Sequence, residues 1–122
     1  MTRGKVVLVP FPFDDLSTTK VRPAVCLTDP VGVHRHIILA FITSRVPDEL
    51  LETDIVLDPA RAEHAATGLR VRSVLRLHRM MTVSTSLLQR ELGELSTDAQ
   101  AEVDGKIRYL FALEDPASGS SP

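Results

Sequence analysis

The sequence predicts a mainly β protein of the α+β class: a small, strongly curved antiparallel sheet or barrel with one helix packed against it. Three observations carry this. Short β-branched runs recur through the first three quarters of the chain, separated by turns rich in Pro, Asp and Gly. No long helical pattern stands between them, as the crossovers of a parallel sheet would need. After Ser96 the apolar spacing changes to that of a helix.

The first run, KVVLVPF (5–11), is β-branched, and Pro10 and Pro12 place it near a sheet edge or leaving the sheet. Residues 12–20 hold Pro, Asp, Ser and Thr, which is loop composition. RPAVCL (22–27) is a second strand, and Asp29-Pro30-Val31-Gly32 a turn. HIILAFIT (36–43) is apolar almost throughout, the pattern of a strand buried on both faces. An acidic loop from Pro47 to Thr53 leads into a short strand, DIVL (54–57). The Ala-rich stretch 59–68 holds a helical turn that Thr67-Gly68 would end, and SVLRL (73–77) is the next strand. A further short strand around 89–92 stops at Gly93. Ser96 then serves as N-cap of a helix in which Val103, Ile107, Leu110 and Phe111 share a face, with Asp98 and Glu102 in its early turns. Gly105 weakens that helix by roughly 1 kcal/mol relative to Ala, so it depends on packing against the sheet. Residues 1–113 form a single domain, and EDPASGSSP (114–122) reads as a disordered tail.

Composition excludes several classes. A chain of 122 residues supports one core, and 43% hydrophobic residues argue against a largely disordered protein. No apolar run approaches the roughly 18 residues of a membrane span, and no secretory signal is visible at the N-terminus, so a cytoplasmic location is expected. The single cysteine, Cys26, sits in PAVCL and reads as a buried core thiol. Net charge is only −2, yet its distribution is uneven. Residues 1–45 carry six Lys/Arg against three Asp/Glu, and residues 61–90 carry six arginines against Glu63 alone. Residues 46–60 hold five acids and no base, and 91–122 seven acids against Lys106 and Arg108. Two basic segments can therefore build one positive surface, or the charges are simply solvated faces.

The chemistry narrows by elimination. His34 and His36 share a strand face, but His64, His78 and Cys26 are scattered and no carboxylate stands at ligand spacing, so no metal site is expected. No Gly-x-Ser-x-Gly elbow, Gly-rich phosphate loop or dinucleotide fingerprint is present, and no cofactor is expected. What remains is Arg22, made rigid by Pro23 at the mouth of a strand, and Thr43-Ser44-Arg45 at the end of another, with Arg76 and His78 close behind. Arginine offers a fork of donors that stays charged at neutral pH. Cleaving a phosphodiester builds charge on its non-bridging oxygens, which such donors stabilise. RNA brings its own 2′-hydroxyl nucleophile, so positioning and proton transfer suffice. Arg and Thr at strand ends are also common and often only cap a loop.

At these residues the chain resembles a known family. GKVVLVPFPFDDLSTTKVRPAVCL (4–27) looks like the opening of the MazF/PemK toxins, and IILAFITSR (37–45) like their central strand ending in Ile-Thr. GLRVRSVLRLHRMMTV (68–83) and LGELSTDAQAEVDGKIRYLFAL (92–113) resemble their later strand and terminal helix, so the likeness holds at four places in order. It implies a small SH3-like β-barrel that dimerises and cleaves single-stranded RNA at specific sequences, as the toxin of a type II toxin–antitoxin pair, without a metal and leaving 2′,3′-cyclic phosphate and 5′-hydroxyl ends. The family's catalytic arginine and threonine fall on Arg22 and Thr43, and a further arginine of some members on Arg76. Where those members carry an acid two residues later, this chain has His78, which either substitutes in proton transfer or contacts a phosphate. The arginine that many members place before the conserved threonine is here Met81.

Sequence selectivity is expected in the loops, with Ser17, Thr18, Lys20 and Ser44 as polar contacts and Phe13 either stacking on a base or plugging the core. The implied partner is an antitoxin whose disordered, often acidic tail occupies the same groove and competes with RNA, the complex also binding DNA. Two alternatives stand beside this: a toxin of similar fold that poisons gyrase by protein contact, and a degenerate module that binds antitoxin without cleaving.

Overall fold

The computed structural model describes residues 2–11 and 20–113. Its strands are β1 (Lys5–Phe11), β2 (Lys20–Cys26), β3 (His36–Thr43), β4 (Asp54–Leu57), β5 (Ser73–Ser84) and β6 (Arg90–Glu94), followed by helix α1 (Thr97–Leu110). They form one antiparallel sheet in the order β4-β5-β3-β2-β1-β6, curled into a half-barrel. The predicted bounds of β1, β3 and β4 coincide with the observed ones. β2 starts two residues earlier than expected, and β5 runs seven residues further.

Other expectations change. β1, expected near an edge or leaving the sheet, lies one strand in from the edge, between β2 and β6. β6 reaches only as far as Leu8, so Pro10 stands where β1 has no neighbour on that side and its missing N–H costs nothing. β3 is not buried on both faces throughout, since Ile38 remains exposed. Gly93 lies within β6 rather than ending it. A Cβ there would fall 2.1 Å from the Ala66 carbonyl oxygen, and one on Gly68 (φ +76°) 2.1 Å from that of Leu92. The 3₁₀ segment Ala62–Thr67 can therefore close against β6 only because both positions lack side chains.

Alternation along the strands sorts the core into two faces. Val6, Val25, Ala40, Ile42, Leu75 and Leu77 meet Leu95, Ala99 and Val103, so α1 covers this face. Ser96 caps the helix as expected, its Oγ accepting from the Ala99 N–H at 3.0 Å. The other face carries Val9, Ala24, Leu39, Phe41 and Val83, and beside them Val7, Cys26 and Ile37. Burial pushes the Cys26 thiol up to about 11, with a smaller contribution from the charge of Glu91. The expected tail, 114–122, lies outside the described residues. No described helix is long and apolar enough to cross a membrane.

Candidate functional site

The second face of the sheet ends in a cationic trough. The β2–β3 register pairs Ala24 with Phe41. Two residues further along that register Arg22 comes abreast of Thr43, on the same face as Ala24 and Phe41. Both line a cavity of about 420 Å³, together with Lys20, Ser44, Arg45 and Arg79. Strand parity thus puts Arg22 and Thr43 on one face beside one space, with Phe41 and Ile42 in its wall.

Thr43 is held by its own turn. Its Oγ1 accepts from the Arg45 N–H at 3.1 Å, while its own proton has only the Arg45 carbonyl at 3.5 Å. One lone pair is thereby engaged and the O–H remains the group to offer a ligand.

A second cavity of about 410 Å³ adjoins the first and shares Thr43, Arg45 and Arg79 with it. Its remaining wall is Val46, Pro47, Asp48 and Arg76. A bulge in β5 brings Arg76 and Arg79 together. β3 pairs Ala40 with Met80 but Ile42 with Leu75, so Arg76, Leu77, His78 and Arg79 together face the single residue Phe41. In a regular strand, residues three apart point to opposite faces; here the extra backbone turns both arginines into one wall.

Arg76 is anchored at a buried carboxylate. Its Nε and Nη2 donate to Asp54 Oδ1 and Oδ2 at 3.1 and 3.2 Å, and the Asp54 side chain is fully buried. Asp54 Oδ2 also accepts from the Leu51 N–H at 2.8 Å, so one carboxylate fixes both Arg76 and the loop behind Asp48. Lys106 of α1 ties the same loop down through the Glu52 carbonyl at 2.6 Å.

Of the residues that the sequence singles out, the structure brings Lys20, Arg22, Thr43 and Ser44 around the first cavity and Arg76 with Thr43 around the second. His78 is exposed within the bulge and belongs to the lining of neither. Phe13, Ser17 and Thr18 lie outside the described residues. Sequence reasoning assigned nothing to Arg79, Asp48 and Asp54, and noted Arg45 without a role. Regular alternation hides Arg79, and Asp48 is one acid among several in its loop.

The other candidate histidines line neither cavity. His64 Nδ1 accepts from the Asp58 N–H at 3.1 Å. The His34 and His36 rings lie 6.0 Å apart near the β2–β3 turn. Among the described residues no three His, Cys, Asp or Glu side chains converge to hold a metal ion.

Comparison with known proteins identifies the family and the fold. The family model described as PemK-like, MazF-like toxin of type II toxin–antitoxin systems matches residues 2–111. The fold is similar to that of the Mycobacterium tuberculosis toxin MazF-mt6, at TM-score 0.68 and 23% identity, covering 91% of this chain and 99% of that one. It is also similar to a MazE–MazF structure from Deinococcus radiodurans, at TM-score 0.70 and 21% identity over 93% and 98% of the two chains. A mycobacterial endoribonuclease solved in complex with its cognate antitoxin superposes at TM-score 0.66 and 15% identity, over 95% and 99%. No curated protein matches the sequence.

Proposed function

Because this chain belongs to the PemK-like, MazF-like toxins of type II toxin–antitoxin systems, we propose that its trough cleaves single-stranded RNA. The observation that carries the reading is the convergence of Arg22 and Thr43 on one cavity from adjacent strands. In this reading the scissile phosphate sits between them. The 2′-oxygen of the preceding ribose gives its proton to water and bonds to phosphorus, the P–O5′ bond breaks, and the leaving oxygen takes a proton back from water. Charge growing on the non-bridging oxygens is met by the Arg22 guanidinium and the Thr43 O–H, donors already oriented before substrate arrives. Arg76 and His78 support the site from the bulge, and the products are a 2′,3′-cyclic phosphate and a 5′-hydroxyl, with no metal required. Ser44 and Lys20 contact the neighbouring nucleotides, as do Phe13, Ser17 and Thr18. The protein acts as a cytoplasmic homodimer, and a cognate antitoxin inhibits it by occupying the cationic trough.

Incubating the protein with a long RNA in EDTA and mapping the ends tests this. Cleavage with cyclic-phosphate ends, lost in Arg22→Ala at unchanged melting temperature, is the expected outcome. Intact RNA would overturn it, and inhibited gyrase alongside would favour the protein-binding alternative.

A further inference from the structure

The second cavity mixes two kinds of side chain that a simple phosphate site would not. Three arginines, Arg45, Arg76 and Arg79, present only hydrogen-bond donors, while Asp48 presents only acceptors. Among the described residues lining the two cavities, Asp48 is the one carboxylate. A carboxylate beside the path of an anionic backbone repels phosphate, so its place in the wall calls for a different ligand group. Val46 and Pro47 add an apolar flank against which a flat ring can lie. About 410 Å³ is room enough for one nucleobase with its sugar.

We infer that this cavity is a base-reading subsite selective for guanine, next to the reacting phosphate; the inference rests on the ribonuclease reading above and extends it. Guanine is the base whose Watson–Crick edge presents two adjacent donors, N1–H and N2–H, which a single carboxylate accepts side by side. Its O6 and N7 are acceptors suited to an arginine fork. Adenine and cytosine each set a donor beside an acceptor, and uracil sets one donor between two acceptors, so each leaves an Asp48 oxygen or a guanidinium N–H without its partner. The cost of that mismatch is what makes such a site selective. Asp54 contributes by position: with Nε and Nη2 engaged, the Arg76 head group is tied to a carboxylate of its own. Because Thr43, Arg45 and Arg79 belong to both cavities, the base read in the second belongs to a nucleotide bordering the phosphate held in the first.

The experiment uses short 2′-O-methyl oligonucleotides, which cannot be cleaved, carrying guanosine or inosine on either side of the blocked bond. Inosine keeps N1–H, O6 and N7 and lacks only the N2 amine. Fluorescence anisotropy is expected to show guanosine binding roughly tenfold more tightly than inosine, with the difference abolished in Asp48→Asn. In mapped cleavage of a random RNA pool, guanine should dominate one position bordering the cut, and Asp48→Asn should shift that preference toward adenine or cytosine. Equal binding of guanosine and inosine, or a guanine preference that survives Asp48→Asn, would overturn the inference. Cleavage without a bordering base preference would remove the subsite and leave the ribonuclease. A guanosine-over-inosine difference with no cleavage of any RNA would remove the ribonuclease and leave the subsite.

Discussion

At Thr43 a single backbone contact decides what the side chain can do. The Arg45 N–H occupies one side of the hydroxyl oxygen at 3.1 Å, which leaves the O–H free to donate. Thr43→Val keeps the β-branched shape that suits a strand end and removes the hydroxyl together with the hydrogen bond it accepts from the Arg45 N–H. We expect turnover to fall about 10²-fold or more, as when one oriented oxyanion donor is deleted, with affinity for a non-cleavable RNA little changed. A parallel loss of affinity would instead mark Thr43 as a binding group. Cys26 is the contrasting case. The sequence alone marked it as a core thiol, and its full burial keeps it protonated and away from chemistry.

At the scale of elements, the walls of the cavities depend on departures from regular strand geometry. The bulge in β5 puts Arg76 and Arg79 in one wall, and the buried Asp54 of β4 keeps Arg76 there. The seam between the 3₁₀ segment and β6 depends on Gly68 and Gly93. Gly93→Ala would drive a methyl into the Ala66 carbonyl, which is backbone and cannot rotate aside. A loss of roughly 1–3 kcal/mol, the usual cost of overpacking, is expected in urea unfolding. An unchanged midpoint would mean that the seam yields without cost. Regular alternation is what a sequence displays, so the strands and the capped helix were legible from it. A bulge has no such signature, and neither Arg79 nor the Asp54–Arg76 pair could be found that way.

The whole molecule is tied at its N-terminal end by a charge. Asp29, in the turn after β2, accepts from the Thr2 and Arg3 N–H groups at 2.8 Å each. Arg3 in turn pairs with Asp104 of α1, joining the first strand, this turn and the helix. The Arg3 and Thr2 hydrogen bonds hold the Asp29 carboxyl below its ordinary value of 3.8. A depressed folded-state value means stability that is complete above pH 3.8 and is lost as pH falls through the lower folded value. Melting temperature should therefore fall on that acid limb, and Asp29→Asn should flatten the fall while lowering stability at neutral pH. An identical acid limb in the variant would show that the tie carries no pH dependence.

Resemblance to a known family singled out Arg22 with Thr43, whereas local pattern by itself determined the strands, the capped helix and the buried thiol. These depend on neighbours in the chain and on the fixed alternation of a strand. Only the tertiary structure decided that Arg79 joins Arg76, that Asp54 holds Arg76 still, and that Asp48 lines the cavity beside the site. Each depends on a bulge or loop whose path is set by packing between residues more than twenty positions apart, and no local period records that.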